Sequence, residues 1–309
     1  MGIKFIATGS YVPNQIITNM DLEKIIETTD EWIKKRTGIQ ERRFVQNNED
    51  NSDLAIKAVD NALQNINNIS NIKLIIVATF TPDYIMPNIA SKIHKHFKLN
   101  NNIFAFDVNI ACSGFCGALK IAESLLNENE QAIIVGSEVI SKHLNLNDRT
   151  TSILFGDGAG AVIIEKNNDY INFDYSILDD DNNSLNMKVS KNSFPTISMN
   201  GPEVFSFAIK NIPITINNIL KKYDLNSENI DYFVLHQANK RIIENVSKSL
   251  NININKFYSN ISYYANTSAA SIPIVIDEMN KKNYLKRGNK ILISGFGAGF
   301  TYCSTIINW

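Results

Sequence analysis

The chain has 309 residues, of which 44% are hydrophobic and only 20% are charged. A chain of this length and composition can bury one large core, or two fused cores of about 150 residues each. A disordered or fibrous protein is therefore excluded. Thirty basic and thirty-one acidic residues leave a formal charge of −1, so no overall field attracts nucleic acid or an anionic membrane.

The start of the chain and its cysteines indicate where the protein works. The first residues, MGIKFIATGS, lack the basic start and long apolar run of a secretion signal. The cysteines Cys112, Cys116 and Cys303 are too few for a disulfide scaffold and show no C-x-x-C pairing for zinc. We therefore expect a soluble cytoplasmic enzyme that binds neither membrane nor nucleic acid.

Short apolar runs alternate with helical patterns along the chain. The runs predict buried strands at Lys73–Thr79, Ile103–Val108, Ala132–Gly136, Ala159–Ile164, Tyr232–Leu235 and Lys290–Ser294. The helical patterns cover Ser52–Ile66, Asn88–Phe97, Gly114–Asn127, Ile209–Tyr223, Lys240–Leu250 and Ser268–Asn280. Alternating strands and helices predict an α/β fold with covered sheets.

The order of these elements also suggests an internal duplication. In each half a helix and a strand precede a motif of small and polar residues, then a further helix and a pair of strands. A polar stretch from Lys166 to Asn172 suits the junction. The predicted halves are therefore residues 1–168 and 169–309.

Cys112 lies in FDVNIACSGFCGALK, where an apolar strand leads through small residues into an apolar helix. The backbone N–H groups and dipole of a helix start favour a thiolate, and small neighbours leave room for a substrate. For a single cysteine, however, a small buried hydrophobe is the commoner role. Cys116 lies one turn later, and without further ligands a metal site or disulfide is not expected there.

A nucleophilic cysteine needs a base or an electrophilic partner. His94 and His96 lie in the polar helix end KIHKHF, and His143 lies in a loop-like segment. His236 directly follows the apolar strand YFVL, at the place where an α/β sheet presents side chains to a cleft. A functional and a structural histidine are equally compatible with that position.

Three further segments contain small and polar residues. Asn266 opens a helix in YANTSAASIP, with Thr267 and Ser268 as capping candidates, and an N-cap or Asx-turn is a sufficient role for such an Asn. GFGAGF, residues 295–300, predicts a tight turn that can direct an N–H at an oxyanion. FGDGAGAV, residues 155–162, lacks the helix and Lys of a nucleotide loop.

Together these segments resemble the β-ketoacyl-acyl-carrier-protein synthase III family of the thiolase-like superfamily. The resemblance spans nearly the whole chain and is carried by TGSYVPNQIITNMDLEKIIETTDEWIKKRTGIQER, FDVNIACSGF, DRTTSILFGDGAG, HQANKRII, NTSAAS and GFGAGFTYCS. It implies a five-layered αβαβα fold built from two duplicated halves. It also implies a homodimer.

The resemblance implies a decarboxylative Claisen condensation that starts fatty acid synthesis. Cys112 takes the acyl primer from acyl-CoA, and His236 and Asn266 hold the thioester oxygen of malonyl-acyl-carrier protein while it loses CO2. The backbone N–H groups of Cys112 and Ala298 form the oxyanion hole. The chemistry requires no metal or redox cofactor.

The resemblance also assigns binding residues. Those for coenzyme A are Thr28, Trp32, Arg36, Thr37, Arg149, Gly201, Phe205 and Asn239. Arg241 and Lys248 correspond to docking residues for the carrier protein, and Met86 to the residue that reaches the partner subunit's primer pocket. Independently of the family, a helical TTDEWIKKR places Trp32 and Arg36 on one face, as an aromatic surface beside a cation.

The sequence departs from the family pattern at several positions. Ala265 and Ala298 replace glycines beside the catalytic groups, and Met86 replaces an aromatic residue. Residues 174–199 match poorly, Pro202 replaces an Asn, and Ser206 and Ser249 replace lysines. Two rival functions follow: transfer of the acyl group in a specialised or surface-glycan pathway, and a non-catalytic accessory subunit that binds CoA or carrier protein.

Overall fold

The computed structural model describes residues 2–46, 48–64, 66, 68–168, 171–178, 180, 183–191 and 194–309. In chain order the strands are β1 (Gly2–Tyr11), β2 (Gln15–Thr18), β3 (Glu41–Phe44), β4 (Ile72–Ala78), β5 (Phe104–Val108), β6 (Gln131–Glu138), β7 (Gly158–Asn167), β8 (Phe173–Ile177), β9 (Leu185–Met187), β10 (Ile197–Met199), β11 (Tyr232–Leu235), β12 (Lys290–Gly297) and β13 (Thr301–Asn308). Each predicted strand is present. Residue 169, where the second half is predicted to begin, lies outside the described residues.

The α-helices of the described residues alternate with these strands. They are α1 (Asn19–Glu23), α2 (Asp30–Thr37), α3 (Asn51–Leu63), α4 (Ile89–His96), α5 (Gly114–Leu125), α6 (Arg149–Ser152), α7 (Gly201–Lys222), α8 (Lys240–Ser249), α9 (Ile261–Tyr264) and α10 (Ser271–Lys281). Short 3-10 turns at Ala111–Ser113 and Ser268–Ala270 precede α5 and α10. No helix within the described ranges has the length and apolar character needed to cross a bilayer.

Two sheets form the framework, and their strands follow the same order. The first sheet runs β1-β7-β6-β4-β5 and the second runs β8-β13-β12-β11. Both sheets contain a parallel pair, β4 with β6 and β11 with β12, followed by an antiparallel strand, β7 and β13 respectively. A single parallel bridge from Phe233 to Phe257 lies where the first sheet has β5. The shared order agrees with the repeat seen in the sequence.

Helices fill the space between the sheets and cover their outer faces. Apolar residues of α5 and α10, including Phe115 and Ile272, share one core with residues of both sheets. A second core packs α3 and α4 on the outer face of the first sheet, and a third packs α7 and α8 on the second. The layers are therefore helix, sheet, helix, sheet, helix, as the resemblance implies.

Several predicted boundaries are wrong, and two of them lie near the candidate site. Helix α7 begins at Gly201 and not at Ile209, because the Asn200 side chain caps it and Pro202 is compatible with a first helical turn. Strand β12 continues to Gly297, so the glycine-rich turn begins only at Ala298. The glycines stay in the strand because its end packs closely against the turn that contains Cys112.

Candidate active site

Cys112 lies where strand β5 leads into α5. Ala111 adopts a left-handed φ of 45° and starts the 3-10 turn that carries Cys112. A non-glycine residue in this conformation is strained and is typical of functional sites. The end of β12 passes so close that a Cβ on Gly297 would lie 2.9 Å from the backbone N and 3.2 Å from the Sγ of Cys112. Glycine at this position therefore leaves the thiol its space.

The thiol is deeply buried, with 4% of Cys112 exposed. The predicted helix start is present and a backbone N–H lowers the pKa of Cys112, but burial outweighs it and raises that pKa to about 12. The Ser268 hydroxyl opposes this shift, and the charge of Glu138 adds to it. Burial therefore favours the neutral thiol of Cys112 over the thiolate.

His236 directly follows β11, as predicted, and is 1% exposed. Its Nδ1 lies 2.7 Å from the Oγ of Ser271 in α10, and that Oγ also accepts the N–H of Gln237. Burial lowers the pKa of His236 to about 3. The ring is therefore neutral at physiological pH.

Asn266 occupies an Asx-turn, one of the two roles the sequence left open. Its Oδ1 accepts the N–H of Ser268 at 2.8 Å, which leaves the amide NH2 as the group that can donate to a ligand. The prediction that Thr267 and Ser268 cap the helix is wrong: the N-cap of α10 is Ala270, and neither side chain caps the preceding turn. Ala265 has φ 56° and ψ −155°, a region that glycine favours, which explains why the family has Gly there.

One cavity of about 480 Å³ contains all three candidate catalytic residues. The first half contributes Cys112, and the second contributes His236 and Asn266. Of the predicted binding residues, those that also line this cavity are Trp32, Arg36, Thr37, Arg149, Gly201, Phe205, Asn239 and Arg241. The tertiary structure thus joins most of the predicted site into one channel.

The channel mouth holds the aromatic and basic residues of the predicted coenzyme A site. Trp32 and Arg36 lie on α2, as the spacing predicts, and the guanidinium is 5.8 Å from the ring centroid. The Arg149 guanidinium lies 4.9 Å from the same centroid. The Thr37 hydroxyl bonds the backbone of Ile33 and Ile39. Thr28 does not line the cavity, but its hydroxyl is buried without a hydrogen-bond partner among the described residues.

One predicted coenzyme A residue, Asn239, and the two residues predicted to face the carrier protein, Arg241 and Lys248, lie around α8. Asn239 caps this helix and donates to the Arg36 carbonyl at 3.1 Å. Arg241 places its guanidinium over the Phe205 ring at 5.2 Å. Lys248 is exposed in the last turn of the same helix, outside the cavity.

A second cavity of about 140 Å³ also reaches Cys112, and sequence reasoning missed most of its walls. Its lining comprises Phe80, Asn109, Ala111, Cys112, Phe155, Leu185, Asn186, Met187, Ile197 and Ala298. Four of these belong to β9 and β10, in the poorly matched stretch 174–199, of which residues 179, 181, 182, 192 and 193 lie outside the description. Because this stretch resembles the family poorly, the sequence did not identify these residues as part of the site.

Ala298 and Met86 are two residues at which the sequence departs from the family pattern, and the structure shows how each is accommodated. Ala298 follows Gly297 without a left-handed φ, so its Cβ is accommodated, and only Gly299 of this turn has φ +80°. Met86 is 83% exposed and lines neither of the two cavities at Cys112. Any role of Met86 in a primer pocket must therefore involve another subunit.

The other candidates from the sequence, namely Cys116, the remaining histidines and the segment FGDGAGAV, take part in packing or in hydrogen bonds to the backbone. Cys116 is fully buried beside Gly295, and the other histidines contact backbone or aromatic rings. Within the described ranges, no group of three His, Cys, Asp or Glu residues is arranged to hold a metal. A Cβ on Gly156 would lie 2.6 Å from the Tyr264 carbonyl, so FGDGAGAV is a close-packing segment, and not a nucleotide loop.

Two stacked sheets with a buried cysteine, histidine and asparagine at one cavity define a thiolase-like condensing enzyme. Family models support this class: that for 3-oxoacyl-[acyl-carrier-protein (ACP)] synthase III matches residues 106–180, and that for its C-terminal part matches residues 220–309. The chain is 44% identical to beta-ketoacyl-[acyl-carrier-protein] synthase III of Clostridium acetobutylicum, covering 99% of this chain and 98% of that protein.

Solved structures agree with the sequence relatives. The crystal structure of 3-oxoacyl-[acyl-carrier-protein] synthase III from Aquifex aeolicus superposes with a TM-score of 0.93 at 36% identity, and covers all of both chains. The enzyme from Thermus thermophilus gives 0.92 at 35% identity, over 99% of each chain. The chain therefore belongs to the β-ketoacyl-[acyl-carrier-protein] synthase III family.

Proposed function

We propose that this protein condenses an acyl-CoA primer with malonyl-acyl-carrier protein to give 3-oxoacyl-acyl-carrier protein, the step that starts fatty acid synthesis. The observation that carries the proposal is the convergence of Cys112, His236 and Asn266 on one cavity of about 480 Å³. A thiol supplies a nucleophile and leaving group, and two neutral donors supply hydrogen bonds to developing negative charge.

In the first half-reaction the sulfur of Cys112 attacks the carbonyl carbon of acyl-CoA. The Cys112 thiol loses its proton, a new C–S bond forms, the bond to the CoA sulfur breaks, and CoA leaves and takes up a proton. The N–H groups of Cys112 and Ala298 hold the tetrahedral oxyanion. The small cavity lined by Phe155, Leu185 and Ile197 receives the acyl chain.

In the second half-reaction His236 and Asn266 bind the thioester oxygen of malonyl-acyl-carrier protein. The Ser271 hydroxyl, which already accepts the Gln237 N–H, donates to Nδ1 and so leaves Nε2–H as the donor. The bound oxygen takes up charge as CO2 leaves. The resulting enolate carbon attacks acyl-Cys112, and the C–S bond breaks to return the free enzyme.

The channel from the surface to Cys112 fits the substrates. Trp32 with Arg149 and Arg36 supplies a stacking surface beside cations for the nucleotide end of coenzyme A. The exposed Arg241 and Lys248 supply positive charge for an acidic carrier protein. The reaction uses the residues named and no metal or redox cofactor, and acyl-CoA as substrate favours a cytoplasmic location.

We propose further that the protein is a homodimer in which Met86 completes the partner's primer pocket. Support comes from an exposed apolar patch beside the edge strand β5: Ile85 is 98% exposed, and Tyr84, Met86 and Phe104 are also mostly exposed. Such a patch on one edge of a sheet is typical of an interaction surface. A two-fold axis would make it self-complementary.

Intact-mass analysis with a panel of acyl-CoAs tests the proposed function. We expect the purified protein to gain one acyl mass, localised to Cys112, and to lose it on addition of malonyl-acyl-carrier protein with release of 3-oxoacyl product. Loss of the acyl group to another acceptor without CO2 release would favour the transferase alternative. No acylation by any acyl-CoA would favour the accessory-subunit alternative.

A further inference from the structure

The two residues predicted to form the oxyanion hole come from different halves of the molecule. Cys112 lies in the turn Ala111–Ser113, and Ala298 lies in the turn Ala298–Phe300, which joins β12 to β13. Both residues line the small cavity of about 140 Å³. Two N–H groups stabilise one oxyanion only if each lies about 2.7 to 3.1 Å from it. The protein must therefore hold these two turns at a fixed separation.

Packing holds the strand before Ala298 but gives less support to the turn itself. Gly297 lies against the turn that contains Cys112, since a Cβ there would be 2.9 Å from the Cys112 backbone N. Beyond it Ala298 is half-buried and Gly299 is exposed. Among the described residues, a Cβ on Gly299 would come within 4 Å of Thr301 Cγ2 alone, at 3.8 Å. The position of the Ala298 turn therefore depends on other contacts.

A pair of hydroxyls connects the two turns. The Oγ of Ser113, which follows Cys112 and is 1% exposed, lies 2.8 Å from the Oγ1 of Thr301. Thr301 directly follows the Ala298 turn, and its hydroxyl lies 3.2 Å from the Ala298 carbonyl oxygen. The Ser113 Oγ also lies 2.8 Å from the carbonyl oxygen of Ile110, before the nucleophile. The pair thus reaches the backbone of both turns.

Each hydroxyl has one proton to donate, so two arrangements are available. In the first, Ser113 donates to Thr301, and Thr301 donates to the Ala298 carbonyl. In the second, Thr301 donates to Ser113, and Ser113 donates to the Ile110 carbonyl. The bond between Ser113 and Thr301 is present in both arrangements, so the two turns are connected in either case.

We propose that the Ser113–Thr301 hydrogen bond positions the oxyanion hole, by holding the Ala298 N–H at the correct distance from the Cys112 N–H. Both are positioning residues, because neither lines either of the two cavities at Cys112. They act through the backbone of the residues beside them. The bond joins positions 188 residues apart and so connects the two halves at the reacting centre. The inference rests on the proposed function, because the oxyanion arises in its first half-reaction.

Single-turnover acylation, followed by intact mass, tests the inference. The fastest of acetyl-, butyryl- and octanoyl-CoA is used at several concentrations. Ser113→Ala and Thr301→Val should each lower the maximal rate by about tenfold, because one oxyanion donor is displaced and not removed. The half-saturating acyl-CoA concentration should stay unchanged, because neither residue lines the channel with the predicted coenzyme A residues.

Two further variants separate positioning from a general loss of packing. The double variant Ser113→Ala/Thr301→Val should be about as slow as either single variant, because each substitution already breaks the same bond. Thr301→Ser keeps the hydroxyl and should keep the wild-type rate. The control is Ser304→Ala on the same strand, which removes a buried hydroxyl that donates to Ser294 at 2.7 Å. It should also keep the wild-type rate.

Several results would overturn the inference. These are a wild-type maximal rate in folded Ser113→Ala or Thr301→Val, losses that multiply in the double variant, or a slow Thr301→Ser. Thermal unfolding identifies the folded variants, and if Thr301→Val does not fold, Ser113→Ala decides. A wild-type protein that none of the three acyl-CoAs acylates would instead overturn the proposed function.

Discussion

The two halves of the molecule repeat one framework but place different chemistry on it. After the fifth strand position of each sheet comes a 3-10 turn, Ala111–Ser113 in the first half and Ser268–Ala270 in the second, followed by a central helix. Both turns begin with a non-glycine residue of left-handed φ, 45° at Ala111 and 50° at Ser268. The same strained turn therefore serves both halves.

The side chains on these turns differ. Cys112, second in the first turn, has Ala269 as its counterpart in the second. The second half instead surrounds its turn with hydrogen-bonding groups: Asn266 before it, Ser268 in it and Ser271 after it. The comparison shows a cysteine on one copy of the turn and hydrogen-bonding side chains around the other copy.

The largest effect is expected when the thiol that distinguishes the turn of the first half is removed. Cys112→Ser should abolish acylation and leave the fold intact, because a hydroxyl is a poor nucleophile at neutral pH. Intact mass after incubation with acyl-CoA measures the effect. Cys116→Ala and Cys303→Ala, which remove the other buried thiols, should still be acylated. If the Ser variant gained the same acyl mass as wild type, a residue other than Cys112 would be the nucleophile.

The second half is tested at Asn266. Asn266→Ala should lower condensation by about 10²-fold or more, the usual cost of one oxyanion donor, while acylation of Cys112 remains largely intact. Asn266→Asp keeps an acceptor for the Ser268 N–H but lacks the amide donor, so it should also fail in condensation. The two half-reactions are measured separately with acyl-CoA and malonyl-acyl-carrier protein. Equal losses in both would break the division of labour between the halves.

His236 makes the second half sensitive to acid. Its pKa is lowered to about 3 in the folded protein, whereas the unfolded chain takes up a proton near pH 6.5. The neutral ring therefore stabilises the fold above about pH 6.5, and that stability is lost as the pH falls towards 3. Between pH 7 and 4, His236→Gln should lose less unfolding free energy than wild type, by up to about 3 kcal/mol.

Denaturant unfolding at several pH values measures this difference. The control is His96→Gln, because His96 is exposed, and it should follow the wild-type pH dependence. Parallel curves for wild type and His236→Gln would mean that the pKa of His236 is not lowered in the folded state.

The halves also differ at the edges of their sheets. This difference predicts an effect on primer preference that is smaller than the effects expected at Cys112, Asn266 and His236. The first half ends in the full strand β5 beside the exposed Met86, and the second ends in one bridge at Phe257. If Met86 limits the partner's pocket, Met86→Phe should favour acetyl-CoA and Met86→Ala a six- to eight-carbon primer, each by about tenfold. Competition for Cys112, read by mass, measures this.

The matched control is Met20→Ala, which also truncates an exposed methionine and should leave the preference unchanged. Sedimentation of each variant reports the dimer. An unchanged preference in both Met86 variants, or a monomer that acylates normally, would separate primer choice from subunit pairing.

The sequence by itself determined the framework and the candidate residues. Alternating apolar runs and amphipathic segments identified the major strands and helices, because burial on a sheet or along one helix face imposes that periodicity. The position of His236 after YFVL and of Cys112 before an apolar helix followed from local pattern. Motif resemblance then assigned roles that spacing alone left open.

Only the tertiary structure decided the environment of these residues. Burial is set by segments distant in sequence, so the raised pKa of Cys112 and the lowered pKa of His236 could not be read from their neighbours. Sequence patterns record periodic burial, whereas proximity between the halves arises from the packing of the two sheets across α5 and α10.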